Sequence, residues 1–92
     1  EFFDAWISKY ALTSGIKKIR ARAAFSENVI ADRDNALAYY YVEGRDWHRT
    51  PEAAEQRAEE MRKAKISSLQ KQIKRLQKQI KRLQTMKVQA PR

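Results

Sequence analysis

Two hydrophobic periods divide this chain: an alternation of period two in its first half and a heptad repeat in its last third. Phe3, Ala5 and Ile7 alternate with other residues, and residues 17–25 alternate apolar side chains with Lys and Arg. Such alternation predicts half-buried β-strands. Turn-forming residues separate the apolar runs, at positions 13–15, 26–28, 32–35 and 44–46. These connections are too short for crossovers, so we predict three or four antiparallel strands in a small β-meander or curled sheet over residues 1–49.

The core of this predicted sheet should consist of apolar side chains on the inner faces of the strands. The expected core residues are Phe3, Ile7, Leu12, Ile19, Phe25, Ile30, Leu37 and Trp47. In the second strand the inward face is expected to consist of Ile19, Ala21, Ala23 and Phe25. The outer face of the same strand should be basic and carry Lys18, Arg20 and Arg22. Three consecutive tyrosines favour a further strand over residues 37–42.

A long helix is predicted over residues 50–88. Thr50 suits the N-cap and Pro51 suits the first helical position. From there to position 88 the chain has no glycine and no further proline, and good helix formers dominate. Residues 50–65 carry small apolar side chains suited to packing on the sheet, and residues 89–92 form a short tail.

A heptad stripe occupies residues 66–84 of this helix. Its apolar positions are spaced alternately three and four residues apart: Ile66, Leu69, Ile73, Leu76, Ile80 and Leu83. Isoleucine at every a position and leucine at every d position is the preference of parallel two-stranded coiled coils. Residues 69–75 recur unchanged as 76–82, and the e and g positions from residue 70 onward hold neutral glutamines. We therefore predict that the stripe forms a coiled coil, with either parallel or antiparallel pairing open.

The length of the helix indicates that the stripe needs a partner outside its own body. A helix of about 37 residues is about 55 Å long, whereas a body of fifty residues spans about 25–30 Å. A second copy of the chain is the simplest partner, and a helix from a different protein is the alternative. A helix lying on a membrane surface normally has a wider apolar face with aromatic residues, and no apolar run approaches the roughly 18 residues that span a membrane.

Charge is distributed very unevenly along the chain. The net charge is +9, yet residues 1–60 hold nine Lys/Arg against all eleven Asp/Glu, and residues 61–92 hold eleven Lys/Arg and no acid. Natural coiled coils mix both signs because pairs of opposite charge stabilise a helix and like-charged pairs destabilise it. A basic surface without acids therefore predicts a polyanionic partner, either nucleic acid or an acidic protein surface. The remaining interpretation is a solvated face that only keeps the protein dispersed.

The predicted nucleic-acid contacts lie on the helix and on the second strand. The helix residues are Lys71, Lys74, Arg75, Lys78, Lys81 and Arg82. In zipper-type readers of DNA the basic region precedes the zipper, but here it coincides with the zipper, so we expect contacts with the phosphate backbone and no base readout. The strand residues Lys18, Arg20 and Arg22 form a candidate second contact, where nearby tyrosines are available to stack on single-stranded bases or to pack into the sheet.

The residues that enzymes use are sparse. The chain has no cysteine, and His48 is its one histidine, expected to be structural. No serine has an evident base partner, and no phosphate-binding glycine loop is present. We therefore expect no catalytic activity, no cofactor, no metal and no small-molecule substrate.

Two segments carry a resemblance to a known group of proteins. They read KYALTSGI at residues 9–16 and WHRTPEAA at residues 47–54, the second continuing as RAEEMR at 57–62 and KISSL at 65–69. Together they resemble small proteins carried by bacteriophages, prophages and plasmids. The resemblance implies a bacterial cytoplasmic setting, and it supplies no catalytic or binding residues. It also implies an alternative role, since small proteins of mobile elements often inhibit host defence by binding a host protein.

The sequence as a whole predicts an α+β protein whose long C-terminal helix forms a coiled coil. The expected function is that of a dimeric, non-enzymatic protein that binds nucleic acid without sequence specificity. The alternative is an interaction protein that inhibits or recruits a host protein. In both cases we expect a homodimer in the bacterial cytoplasm and no association with a membrane.

Overall fold

The computed structural model describes residues 1–26, 28–34 and 40–92, and in them an antiparallel sheet is followed by one long helix. The elements are β1 (Phe3–Ile7), β2 (Lys17–Ser26), β3 (Val29–Asp32), β4 (Tyr41–Val42), β5 (Trp47–His48) and α1 (Pro51–Thr85). The predicted α+β class is therefore confirmed. Of the strand predicted over residues 37–42, positions 37–39 lie outside the described residues, and β4 covers its last two positions.

The first hairpin follows from the alternation in its two strands. In the antiparallel pair of β1 and β2, Ala5 lies opposite Ile19 and Phe3 lies opposite Ala21. Side chains directly opposite each other point to the same face of a sheet, so these four residues are turned toward the interior. Ala5 and Ala21 are fully buried. The hairpin thus forms the inner wall of the body, as the alternation predicts.

The sheet curls so that its two edges meet. The strand order is β4-β3-β2-β1-β5, yet the edge strands β4 and β5 are separated by four residues in the chain. Within this connection Glu43 bridges Trp47, and the Asp46 N–H donates to the Val42 carbonyl over 2.8 Å. Gly44 adopts a φ of +85°, which a side chain would disfavour. A strand order that places neighbours in sequence at opposite edges requires a strongly curved sheet.

The Asp46 carboxylate fastens the same connection. It accepts a hydrogen bond from the Val42 N–H over 3.0 Å and pairs with the Arg45 guanidinium at 3.0 Å. Burial acts to raise the pKa of Asp46, but the hydrogen bonds from Arg45 and from Val42 prevail and lower it. The carboxylate therefore stays ionised and holds the turn between β4 and β5.

The core lies inside the curled sheet and centres on one tryptophan. Trp47 is fully buried, its indole Nε1–H donates to the Asn28 carbonyl over 2.9 Å, and its ring centroid lies 5.7 Å from that of Phe3. The buried apolar cluster consists of Ala5, Ile7, Ile19, Ala21, Ile30 and Trp47, with Phe3 and Tyr41 packed against it. Five of the eight predicted core residues are found in or against this cluster.

Some sequence predictions for the body are wrong. Leu12 is 46% exposed, because it lies in the loop between β1 and β2 rather than in a strand. Ala23 is exposed although it still pairs in register with the buried Ile30, and the register of β2 against β3 shifts only after it, between Ala23 and Ser26. The pairing of β5 with β1, Trp6 opposite His48, was not predicted. The side chains of Phe25 and Leu37, also expected in the core, are outside the described part of the structure.

Helix α1 begins as the sequence predicts. The Ala53 N–H donates to the Thr50 hydroxyl oxygen over 3.2 Å, which is the N-cap interaction. Ala54 is fully buried. The helix ends at Thr85, three residues before the predicted end. There the Thr85 hydroxyl donates to the Lys81 and Arg82 carbonyls, and the Arg82 carbonyl is one of the last four that no helical N–H reaches.

The chain divides into two compact units, Glu1–Arg62 and Lys63–Arg92, and the division falls within α1. The first unit contains the sheet and the first part of the helix, where Arg57 and Met61 are half-buried and the Arg57 Nε–H donates to the Arg45 carbonyl over 3.4 Å. In the second unit every residue is exposed. The side chains of this second unit are therefore all accessible in the single chain.

Candidate oligomer and nucleic-acid interface

The heptad residues form a continuous exposed apolar stripe. Their exposed fractions are 41% for Ile66, 42% for Leu69, 52% for Ile73, 56% for Leu76, 54% for Ile80 and 66% for Leu83. All six lie in α1, and at 1.5 Å per residue the stripe is about 26 Å long. Scattered exposed apolar residues need no explanation, but a contiguous stripe of this kind marks an interaction surface. The six positions that the heptad spacing groups together are therefore accessible to a partner.

Neutral side chains border the stripe. The e and g positions beside its central part are occupied by Gln70, Gln72, Gln77, Gln79 and Gln84, all of them exposed on α1. In a coiled coil these positions of one helix meet the corresponding positions of its partner. Lysines there would repel a second copy of the same helix, whereas glutamines do not. The border of the stripe is therefore compatible with its own copy.

The basic residues of the second unit lie on the side of the helix away from the stripe. At 100° per residue, position f is about 170° from the centre of the stripe, and positions b and c are about 130° from it on either side. Lys71 and Lys78 occupy f, Lys74 and Lys81 occupy b, and Arg75 and Arg82 occupy c. All six are exposed. We call these six residues the basic face.

The basic face has no carboxylate to neutralise it along the helix. The acids of α1 end at Glu60, and Arg57 and Arg62 pair with Glu60 and Glu59. Across residues 1–26, 28–34 and 40–92, no ion pair includes a cation beyond Arg62. Uncompensated cations spaced along one face are what a polyanion binds.

The predicted basic strand face is partly neutralised. Asp4 lies opposite Arg20 in the hairpin register, and its carboxylate is 3.0 Å from the Arg20 guanidinium and 3.7 Å from the Lys18 Nζ. The hydrogen bond from Arg20, with the charge of Lys18, lowers the pKa of Asp4. Arg22 is exposed at the end of the row. Sequence reasoning missed Asp4, although the outward position of Asp4 in β1 and of Arg20 in β2 carried the signal.

The tyrosines divide between surface and core. Tyr40 is 52% exposed and Tyr10 is 41% exposed, whereas Tyr41 is half-buried and packs against the core. The Lys9 Nζ lies 5.6 Å from the Tyr10 ring centroid and 6.0 Å from that of Tyr41. Tyr39 lies outside the described residues. Tyr41 thus packs into the sheet, and Tyr40 has an exposed ring, for which stacking on bases stays a prediction.

A buried serine–histidine pair was missed by the sequence. The Ser8 Oγ lies 2.7 Å from the His48 Nε2, so the expectation that no serine has a base partner is wrong. These residues are forty positions apart, and only the pairing of β1 with β5 brings them together. Ser8 is fully buried and His48 is 7% exposed. Burial, followed by the charge of Arg57, lowers the pKa of His48. The hydroxyl of Ser8 has no exposed surface, and its hydrogen bond links the residue that follows β1 to β5.

Searches of protein families, of curated proteins and of solved structures find no match to this chain. Among the described residues, no helix is long and apolar enough to cross a membrane. In the same part of the chain, no cluster of histidines and carboxylates is placed to hold a metal ion.

Proposed function

We propose that the protein is a non-enzymatic homodimer that binds nucleic acid through the basic face of α1, without reading the base sequence. The observation that carries this proposal is the combination of an uncompensated basic face with an apolar stripe on the opposite side of the same helix. We further propose that it acts in the cytoplasm of a bacterium as a product of a mobile genetic element. The resemblance of its two segments to small phage, prophage and plasmid proteins supports that setting.

Dimerisation through a coiled coil is supported by the identity of the stripe residues and of their neighbours. Isoleucine at a and leucine at d favour two parallel strands, and the bordering glutamines bring no charge to the seam. The stripe has fewer than three full heptads, and helical pairs of that length are marginal on their own. The exposure of all six stripe residues in the single chain supplies the apolar area that association would bury.

Binding to the phosphate backbone is supported by the arrangement of charge. Six exposed cations of the basic face lie within residues 71–82, a distance of about 16 Å along the helix. Each phosphate contact releases counterions from the nucleic acid, so affinity from such a face should fall steeply with salt. Two copies of the helix carry like charges along one coiled coil, and a bound polyanion would offset their repulsion.

An interaction with a host protein is the alternative function, and a different surface favours it. Three apolar side chains of the loop between β1 and β2 are exposed: Tyr10 at 41%, Leu12 at 46% and Ile16 at 36%. They lie in the first of the two segments that carry the resemblance. A protein that inhibits or recruits a host partner would use such a loop, whereas the proposed nucleic-acid contact does not require it.

The test of the proposed function is fluorescence anisotropy of labelled duplex DNA, single-stranded DNA and RNA, titrated with the protein at several salt concentrations. We expect micromolar or tighter binding with a steep negative dependence on salt. Replacing Lys74, Arg75, Lys81 and Arg82 with glutamine should weaken binding and reduce the salt slope by about one unit for each phosphate that the protein no longer touches. An absence of binding at low salt would contradict the proposal and direct attention to a protein partner.

A charge-matched comparison distinguishes the basic face from net charge alone. The double variant Lys74→Gln/Lys81→Gln removes two positive charges from the basic face. The double variant Lys63→Gln/Lys65→Gln removes the same charge from helix positions nearer the edge of the stripe. We expect the first to weaken binding more than the second. Equal weakening by both would mean that the second unit acts as a diffuse positive charge without a defined contact face.

A further inference from the structure

The stripe and the basic face lie on opposite sides of one helix, and this arrangement determines where the basic faces lie in a pair of helices. When two copies close their stripes against each other, positions b, c and f of each helix turn away from the seam. The two basic faces then point in opposite directions from the coiled coil. This holds for parallel and for antiparallel pairing, because it depends only on which positions enter the seam.

We infer that the dimer binds two separate segments of duplex DNA at once, one on each basic face, and thereby bridges them. The inference rests on the proposed function, since it requires both the dimer and its contact with phosphates. What it adds is that the protein is divalent for duplex DNA.

The stiffness of duplex DNA is the reason that one segment does not occupy both faces. A helix with its side chains is about 10–12 Å across, so a two-stranded coil is on the order of 20 Å thick. The persistence length of the duplex is about 500 Å, and it does not wrap around so thin a rod. A single strand is flexible enough to pass from one face to the other, so we assign bridging to duplex DNA.

Charge density also favours occupation of both faces. A duplex presents about one negative charge per 1.7 Å, so the length covered by the basic face holds about ten phosphates facing six cations. One duplex therefore has enough charge to neutralise the face that it contacts. The six cations on the other side stay uncompensated until a second duplex binds there.

The test measures bridging and binding separately on the full chain. One duplex is anchored to beads, a second labelled duplex of unrelated sequence is free, and the label retained on the beads is measured as protein is added. Anisotropy of the same labelled duplex reports binding alone. We expect retention to rise at least about tenfold, to peak and then to fall at excess protein, because each duplex then carries its own dimers.

The stripe variants complete the test. Ile73→Asp, with Leu76→Asp as an independent second variant, should still shift the anisotropy at low salt and should lose the retained label. Ser68→Asp, which adds the same charge at an exposed position outside the seam, should keep both signals. Anisotropy without retention in the parent protein would overturn bridging and leave the proposed function standing. No anisotropy change in the parent would overturn both, and retention by the monomeric variants would overturn bridging by the dimer.

Discussion

Replacing Ile73 with aspartate should abolish the dimer, because it places a carboxylate in the middle of the apolar stripe. Ile73 is 52% exposed in the single chain. Full burial of an isoleucine side chain stabilises by about 1.5–3 kcal/mol, so closing the exposed half contributes about 1 kcal/mol per chain and about 2 kcal/mol per dimer. The variant loses this contribution, and it also places the two aspartate carboxylates of the dimer next to each other in one layer of the seam.

The electrostatic part of this change is at least as large as the apolar part. Taking a carboxylate out of water without a partner has an effective cost of several kcal/mol. We take about 2 kcal/mol per dimer as a minimum, which brings the total to about 4 kcal/mol. Since 1.4 kcal/mol is a factor of ten, the dimer should dissociate about a thousandfold more readily.

Sedimentation equilibrium over a wide concentration range is the assay. The parent chain, of 10.8 kDa, should have about twice that mass at high concentration. Ile73→Asp should have the mass of a single chain throughout. Ser68→Asp is the matched control, because it introduces the same residue and charge into the same helix at an exposed c position. It should retain the mass of the parent.

Two results would refute the reasoning. A parent protein with the mass of a single chain at every concentration would show that the stripe has no second copy as its partner. A variant with the same mass as a dimeric parent would place the seam elsewhere on the molecule. Circular dichroism of each variant is measured alongside, so that loss of the dimer is not confused with loss of the fold.

Three further predictions concern the stability of the body. Thr50→Ala should lower the free energy of unfolding by about 1 kcal/mol, since the Ala53 N–H loses its cap; Thr50→Ser should restore it, and equal urea midpoints for all three proteins would contradict the cap. Asp46→Ala should cost about 1–3 kcal/mol, because the Val42 N–H loses its acceptor, whereas Asp46→Asn, which keeps an acceptor, should cost less. Burial holds the pKa of His48 below 6.5. As the pH falls, His48 is therefore protonated in the unfolded chain before it is protonated in the folded protein. Stability should therefore fall as pH drops below about 6.5, by at most about 1.4 kcal/mol per pH unit. His48→Gln should remove that part of the slope, and an identical slope in the variant would exclude His48 as its source.

The elements with a clear local pattern were predictable from the sequence. The hairpin of β1 and β2 follows from alternation, and α1 follows from its N-cap, its composition and the absence of breakers. In contrast, β5 consists of Trp47 and His48 alone, and two residues carry no periodicity. It becomes a strand because the curl of the sheet brings it beside β1, and that curl is a property of the whole body.

The predicted core named large side chains, whereas alternation alone indicated which small residues face inward. Ile7, Ile19, Ile30 and Trp47 are buried as expected, but Ala5 and Ala21 are buried as completely. Alternation placed Ala21 on the inward face correctly and Ala23 wrongly, so alternation alone does not decide how deeply an alanine is buried. Its small size is what the tightly curled sheet admits beside Trp47, and that requirement is set by packing.

The candidate interface was predictable to the extent that it depends on helical spacing. The heptad spacing assigns residues to the stripe and to the basic face, and both are exposed on α1 in the structure. The strand part of the interface depends on register instead. Asp4 neutralises much of the charge of Lys18 and Arg20 only because it lies opposite Arg20, a relation that needs the hairpin to be aligned residue by residue.

The pairing of β1 with β5 has a consequence for the order in which we expect the chain to fold. Trp6 and His48 are about forty residues apart, so their meeting requires a large loop to close, and contacts of that kind slow folding. Helix formation involves only neighbouring residues and occurs within about a microsecond. We therefore expect that the heptads can become helical while the body is still open. If the stripe pairs as we propose, two chains can meet through their helices before either sheet has closed, and each body then folds while tethered to its partner.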